Sequence, residues 1–171
     1  MGTATQSSPE PERLARVTAG DLMRTELAVL GPDTSLAAAA QLFSTRHISG
    51  APVVDAAGHP LGVVSLADLV RAKRTGEKPS GKPLYYLFEH GQRDFVGMFT
   101  ELDGPPGQVA DVMTDFVLSV SPQTPLLQAV RLMVADGVHR VLVVDGGKLV
   151  GILTSMDVMR ALVSSPSPPP S

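Results

Sequence analysis

The sequence contains no cysteine and no tryptophan, and aromatic residues make up only 4% of its 171 positions. Without cysteine there can be no disulfide, thiolate metal site or thiol nucleophile. No apolar run approaches the roughly 20 residues that a membrane-spanning helix needs. The opening "MGTATQSSPEPER" lacks the apolar stretch of a secretory signal and the Ser or Thr at position six that favours N-myristoylation. A net charge of −3 exerts no general pull toward nucleic acid or anionic lipid. The chain has no Gly-x-Ser-x-Gly elbow, no Walker loop and no Gly-x-Gly-x-x-Gly turn. Its four histidines (His47, His59, His90, His139) show no metal-ligand spacing. The expectation is a cytoplasmic globular protein that needs no cofactor or metal and is not an enzyme.

What the sequence does have is a repeat. Sliding the chain by 90 positions brings Asp21, Met23, Pro32, Thr34, Leu36, Ala39, Leu42, Val53, Val54 and Asp55 onto Asp111, Met113, Pro122, Thr124, Leu126, Ala129, Leu132, Val143, Val144 and Asp145. After Asp55 the offset falls to 89, so that Gly62 meets Gly151 and Asp68 meets Asp157. The change lies between "VVDAAGHPLGVV" and "LVVDGGKLVGIL", each of which reads as two strands around a Gly-containing turn, where a length change is tolerated. Asp55 and Asp145 sit there as turn formers.

Each copy predicts the same order: a short turn ("GDLM", "ADVM"), a brief strand ("LAVL", "FVLSV"), Pro-x-Thr, a helix, a hairpin and a second helix. The first helix carries Leu36, Ala40 and Phe43, or Leu126, Val130 and Met133, at i, i+4, i+7. Thr34 and Thr124 fall where an N-cap belongs, with Pro125 at the first helical position. A β-α-β-β-α unit of about 55 residues buries too little surface to stand comfortably alone. The fold class expected is therefore α/β (α+β), with the units at 17–72 and 108–163 packed as a pseudo-two-fold pair. Residues 1–16 and the tail 164–171 are Pro/Ser-rich and expected to be disordered. The insert 73–107 opens with basic residues and continues "PLYYLFEHGQRDFVGMF", which holds five of the seven aromatics. It reads either as a solvated linker or as a segment that docks on the domain, a second subunit or a partner.

The most informative matched pair is "GVVSLAD" and "GILTSMD". Ser/Thr-x-x-Asp at a helix start is a capping box, and helix capping alone could account for it. Yet a strand feeding a helix N-terminus also presents N–H donors to an anion, and a carboxylate one turn in can accept both hydroxyls of a ribose. The second copy adds "GVHRVLVVD", in which His139 and Arg140 enter a strand beside the one ending at Leu153, and Arg suits phosphate. A ribose acceptor, a phosphate donor and a helix N-terminus point together to a nucleotide.

These paired units resemble CBS domains, named for cystathionine β-synthase, in the tandem arrangement called a Bateman module. The resemblance is carried by "DLMRTELAVLGPDTSLAAAAQLF", "HISGAPVVDAAGHPLGVVSLADLV", "ADVMTDFVLSVSPQTPLLQAV" and "GVHRVLVVDGGKLVGILTSMDVMRAL". It implies an energy-sensing regulatory module that binds AMP, ADP, ATP or S-adenosylmethionine between the repeats, pairs as a homodimer and acts on a protein target. By the same resemblance Asp68 and Asp157 take the ribose hydroxyls, with Ser65 and Thr154 near ribose or phosphate. The strand-entry residues Ile48, Ser49, Gly50 and Ala51, and Val138, His139 and Arg140, line the sites, and Thr34 and Thr124 match positions that sometimes touch ligand. The copies differ: Ser49-Gly50 stands where the second has His139-Arg140, although Arg46 and His47 are near in sequence, and Pro52 stands where the second has Leu142. A phosphorylated ligand is therefore expected at the second motif, and an uncharged adenosine compound or nothing at the first. Two rivals predict different behaviour. A dimerisation scaffold would use the motifs only as caps, and nucleic-acid binding through "RAKRTGEKPSGK" would show steep salt dependence.

Overall fold

A unit of this size has little apolar surface to bury, and the two copies meet the shortage by lending each other a segment. The computed structural model describes residues 16–75 and 107–163. The expected disordered segment 1–16, insert 73–107 and tail 164–171 lie almost entirely outside them. In chain order the elements are α1 (Ala19–Leu22), α2 (Leu36–Arg46), β1 (Gly50–Val54), β2 (Pro60–Ser65) and α3 (Leu66–Thr75). The second copy follows with α4 (Val109–Val112), β3 (Ser119–Val120), α5 (Leu126–Asp136), β4 (Arg140–Asp145), β5 (Lys148–Thr154) and α6 (Ser155–Val163). The turns expected at "GDLM" and "ADVM" are single helical turns.

Both hairpins are antiparallel and carry a register irregularity at the same place, Val53/Val54 and Val143/Val144. β3 runs parallel to β4, but the strand expected at "LAVL" is reduced to one parallel bridge, Leu30 to Val53. In both copies a proline follows two residues on, Pro32 or Pro122, and its missing N–H stops the ladder early. The turns account for the changed offset. Gly146 and Gly147, with φ of 54° and 80°, make a two-residue turn in the second copy, a backbone that favours glycine. The first is one residue longer and is organised by Asp55, whose Oδ1 accepts the N–H groups of Ala57 and His59, both at 2.8 Å. The two turns touch, the Leu149 N–H donating to the Gly58 carbonyl at 3.0 Å.

Two cores result, and each is completed by the other copy. Leu36, Phe43, Val53, Val64 and Leu69 of the first copy enclose Val109 and Val112 of α4. Leu126, Met133, Val141, Val143 and Leu153 of the second enclose Ala19 of α1, with Leu22 and Met23 packed alongside. The Pro-x-Thr segments hold these exchanged turns. The carbonyls of Thr34 and Pro32 accept the Val109 and Ala110 N–H groups at 2.8 and 2.9 Å, and those of Thr124 and Pro122 accept from Ala19 and Gly20 at 2.8 Å. Those N–H groups are the ones a helix start leaves without an internal partner. Beyond each turn the chain adds a rung to the foreign hairpin, Arg24 to Ile152 and Thr114 to Val63. The glycines of "GVVSLAD" and "GILTSMD" make room for that rung. A Cβ on Gly62 would lie 2.5 Å from the Thr114 carbonyl oxygen, and one on Gly151 would collide with the Met23 side chain.

One sequence expectation is corrected here. Thr34 and Thr124 are not the N-caps: α2 is capped by Ser35, whose Oγ accepts the Ala38 N–H at 3.2 Å, and Pro125 occupies the cap position of α5. The threonines stand one residue earlier because their carbonyls are committed to the exchanged turns.

Candidate functional site

Both Ser/Thr-x-x-Asp motifs join a strand directly to a helix, and in both the cap forms. Asp68 Oδ2 accepts the Ser65 N–H at 2.8 Å and the Ser65 hydroxyl at 2.6 Å. Asp157 Oδ2 accepts the Thr154 N–H at 3.1 Å and hydroxyl at 2.5 Å, while the Asp157 N–H donates back to Thr154 Oγ1 at 3.2 Å. The strand-entry carbonyls secure the same junctions, Ser49 accepting from Leu66 and His139 from Ser155, each at 2.9 Å.

The surroundings of the two carboxylates differ. Asp157 Oδ1 accepts from Arg24 Nε at 2.9 Å and Arg160 Nη1 at 3.0 Å. Burial pushes the Asp157 carboxyl up, but the Thr154 hydroxyl and Arg24 outweigh it and hold its pKa below the ordinary 3.8. Asp68 is 3% exposed. There burial prevails over the Ser65 hydrogen bonds and the charge of Arg71, and its pKa is raised. Arg71 is the repeat counterpart of Arg160, whereas the counterpart of Arg24 is Thr114.

Beside the second motif lies a cleft of about 590 Å³ between the copies. Thr154, Ser155, Met156, Arg160 and Ile152 form one wall, and Arg46, His47, Ile48, Ser49, Gly50 and Pro52 of the first copy form another. Arg24, Glu26, Leu27 and Ala28, with His139 and Arg140, complete the lining. Arg140 Nη2 reaches across to Ser49 Oγ at 3.2 Å and so ties the two strand entries together. Four guanidinium groups, two imidazoles and one carboxylate, Glu26, line this space, with Asp157 behind Arg24 and Arg160. Such an arrangement favours a phosphate-bearing guest.

His47 ends α2 at a φ of 52°, where the matched residue of α5 is Gly137 at 64°. The left-handed conformation costs a side-chain-bearing residue on the order of 1 kcal/mol. Keeping an imidazole there places it on the cleft.

Of the residues singled out in the sequence, Ile48, Ser49, Gly50, His139, Arg140 and Thr154 line the cleft, and Asp157 supports it. Ala51 is buried in the first core and lines a crevice of about 10 Å³ beside Arg140. Val138 packs against the second core. Thr34 and Thr124 lie at the exchanged turns, and Ser65 and Asp68 at the first copy's own cap. The structure joins the second motif to the first copy's strand entry, a pairing that sequence order does not suggest. Sequence reasoning missed Arg24 and Arg160. The i, i+3 spacing of Asp157 and Arg160 was available as a signal, but Arg24 lies 133 residues from Asp157. Among the described residues no group of three His, Asp or Glu could hold a metal, and no helix is long and apolar enough to cross a membrane.

A family model for the CBS domain matches residues 19–75 and 109–164. The chain is 33% identical over 156 residues to the CBS domain-containing protein CBSX2, chloroplastic, of Arabidopsis thaliana, covering 88% of this chain and 66% of that protein. It is 31% identical over 151 residues to protein MJ1426 of Methanocaldococcus jannaschii, covering 84% and 89%. It therefore spans just under two thirds of the first relative and most of the second. A crystal structure of CBSX2 in complex with AMP matches with a TM-score of 0.63 at 32% identity, covering 86% of this chain and 96% of that one.

Proposed function

Because the chain belongs to the CBS-domain family as a tandem pair, we propose that it is a non-catalytic regulatory module that binds a phosphorylated adenosine ligand in the Thr154–Asp157 cleft and signals to a protein partner. One observation carries this reading: a capped strand-to-helix junction bearing Asp157 opens onto a cleft lined by Arg24, Arg46, Arg140 and Arg160. Asp157 would take ribose hydroxyls, the helix start and the guanidinium groups would hold phosphate, and Ile48 and Ile152 would offer apolar surface to a base. The AMP complex of the related CBSX2 supports an adenine nucleotide. The cationic lining favours AMP, ADP or ATP over S-adenosylmethionine, whose sulfonium it would repel. A homodimer is part of the reading, supported by the exposed apolar residues Met156, Met159, Leu162 and Val163 of α6.

The second reading is a dimerisation scaffold. It is favoured by the finding that both motifs are already satisfied as caps. Thermal-shift titrations with AMP, ADP, ATP and S-adenosylmethionine, on wild type and Asp157→Ala, separate the two. A ligand at 100 times its Kd adds about 2.7 kcal/mol, a rise of several degrees in Tm. Loss of the cap alone costs about 1 kcal/mol and is indifferent to ligand. A nucleotide shift that vanishes in Asp157→Ala is the expected result. A well-folded wild type that responds to none of the four at millimolar concentration would leave the scaffold.

A further inference from the structure

The hydrogen bonds of Asp157 divide between its two oxygens in a way that bears on which ligands the cleft admits. A carboxylate has about four lone-pair sites. Oδ2 is committed to Thr154, and Oδ1 to Arg24 and Arg160. A ribose hydroxyl arriving at Asp157 must therefore displace a donor. Displacing Thr154 would undo the helix cap. Displacing an arginine is easier, because Arg24 and Arg160 are 55% and 58% exposed while the carboxylate is 7% exposed. Both arginines line the cleft, so a phosphate on the same ligand can take up the guanidinium that the ribose releases, with charge-assisted bonds of comparable strength. A nucleoside without phosphate breaks the ion pair and offers nothing in return.

We propose that Arg24 and Arg160 form a latch on Asp157 that only a phosphate-bearing ligand opens at little net cost, making Arg24 a determinant of specificity against unphosphorylated nucleosides. This rests on Asp157 being the ribose acceptor of the preceding section. In the first copy Thr114 stands where the second has Arg24.

The test is isothermal titration of the full chain with AMP and with adenosine, for wild type, Arg24→Ala and Arg24→Lys, each checked by thermal melting. Wild type is expected to prefer AMP. In Arg24→Ala, AMP should weaken about tenfold while adenosine holds or strengthens, and Arg24→Lys should fall between. Arg160→Ala carries the same expectation and serves if Arg24→Ala does not fold. The latch is overturned if AMP and adenosine weaken in parallel, if AMP is unaffected, or if wild type does not discriminate; in each case the nucleotide site itself stands. If folded wild type binds neither compound, the latch is overturned for AMP, and if it binds ADP and ATP no better the nucleotide reading fails with it.

Discussion

Ser65–Asp68 and Thr154–Asp157 are the same device in two environments. Both cap a helix with one carboxylate oxygen, and both follow a glycine that lets a foreign segment cross the strand. Around Asp68 the crossing segment supplies Thr114, the pKa is raised by burial, and the matched strand entry belongs to a helix ending in Asp136-Gly137. Around Asp157 it supplies Arg24, the pKa is lowered, and the facing helix ends in Arg46-His47. The two copies are thus equivalent scaffolds in which a handful of exchanges, Arg24 for Thr114 and Arg46-His47 for Asp136-Gly137, surround the two carboxylates with different charges. Capping is the shared property of the motif, and the electrostatics are particular to each copy.

The comparison can be broken at the glycines first, where the largest stability effect is expected. Gly62→Ala would push a methyl group against the Thr114 backbone, whereas Gly151→Ala meets the Met23 side chain, which can turn aside. Overpacking against backbone is expected to cost about 1–3 kcal/mol in the first case and less in the second. Denaturant melts of the two variants would measure the difference, and Met23→Ala, which removes the Sδ and Cγ contacts but keeps the Cβ at 3.0 Å, should rescue Gly151→Ala in part.

The carboxylates come next. Asp157 has a lowered pKa, so its stabilisation is present above the unfolded value of 3.8 and is lost as pH falls through the lower native value. Asp157→Asn should cost about 1 kcal/mol near neutrality, since its arginine partners are half exposed, and the deficit should shrink in acid. Asp68 has a raised pKa, so its contribution is greatest below 3.8 and declines as pH rises through the native value. Asp68→Asn should therefore gain on wild type with rising pH. Melting temperatures of both variants between about pH 3 and pH 7 would show opposite trends; parallel trends would mean that the two sites are electrostatically alike.

The smallest effect is at the helix ends. His47→Gly relieves a left-handed side chain and should raise stability by no more than about 1 kcal/mol, because the glycine also loosens the unfolded chain. If His47 faces phosphate, the same variant should bind AMP more weakly, so stability and affinity would move in opposite directions.

Much of this was legible in the sequence because it is local. The hairpins, the i, i+4, i+7 face of α2, the Asp55 turn and the two capping motifs depend on residues a few positions apart. The exchange of leading segments was not legible. Nothing in "AGDLMR" says that Ala19 belongs to the core of Leu126 and Leu153 rather than that of Leu36 and Leu69. Arg24 was missed for that reason. The one-residue error in the caps has the same origin, since it is the foreign turn that claims the carbonyls of Thr34 and Thr124. The glycines of "GVVSLAD" and "GILTSMD" likewise make sense only once Thr114 and Met23 are seen crossing them.

The exchange also bears on how the chain emerges from the ribosome. The first hairpin is complete in sequence by Ser65, but its outer strand keeps an open edge at Val63 until Thr114 has been made, and its core lacks Val109 and Val112 until then. An open strand edge over an unfinished apolar core is a site for pairing with the wrong chain. For the time needed to translate everything between residues 65 and 114, the nascent protein carries that hazard, and a neighbouring nascent chain offers the same α4 turn that its own has yet to supply.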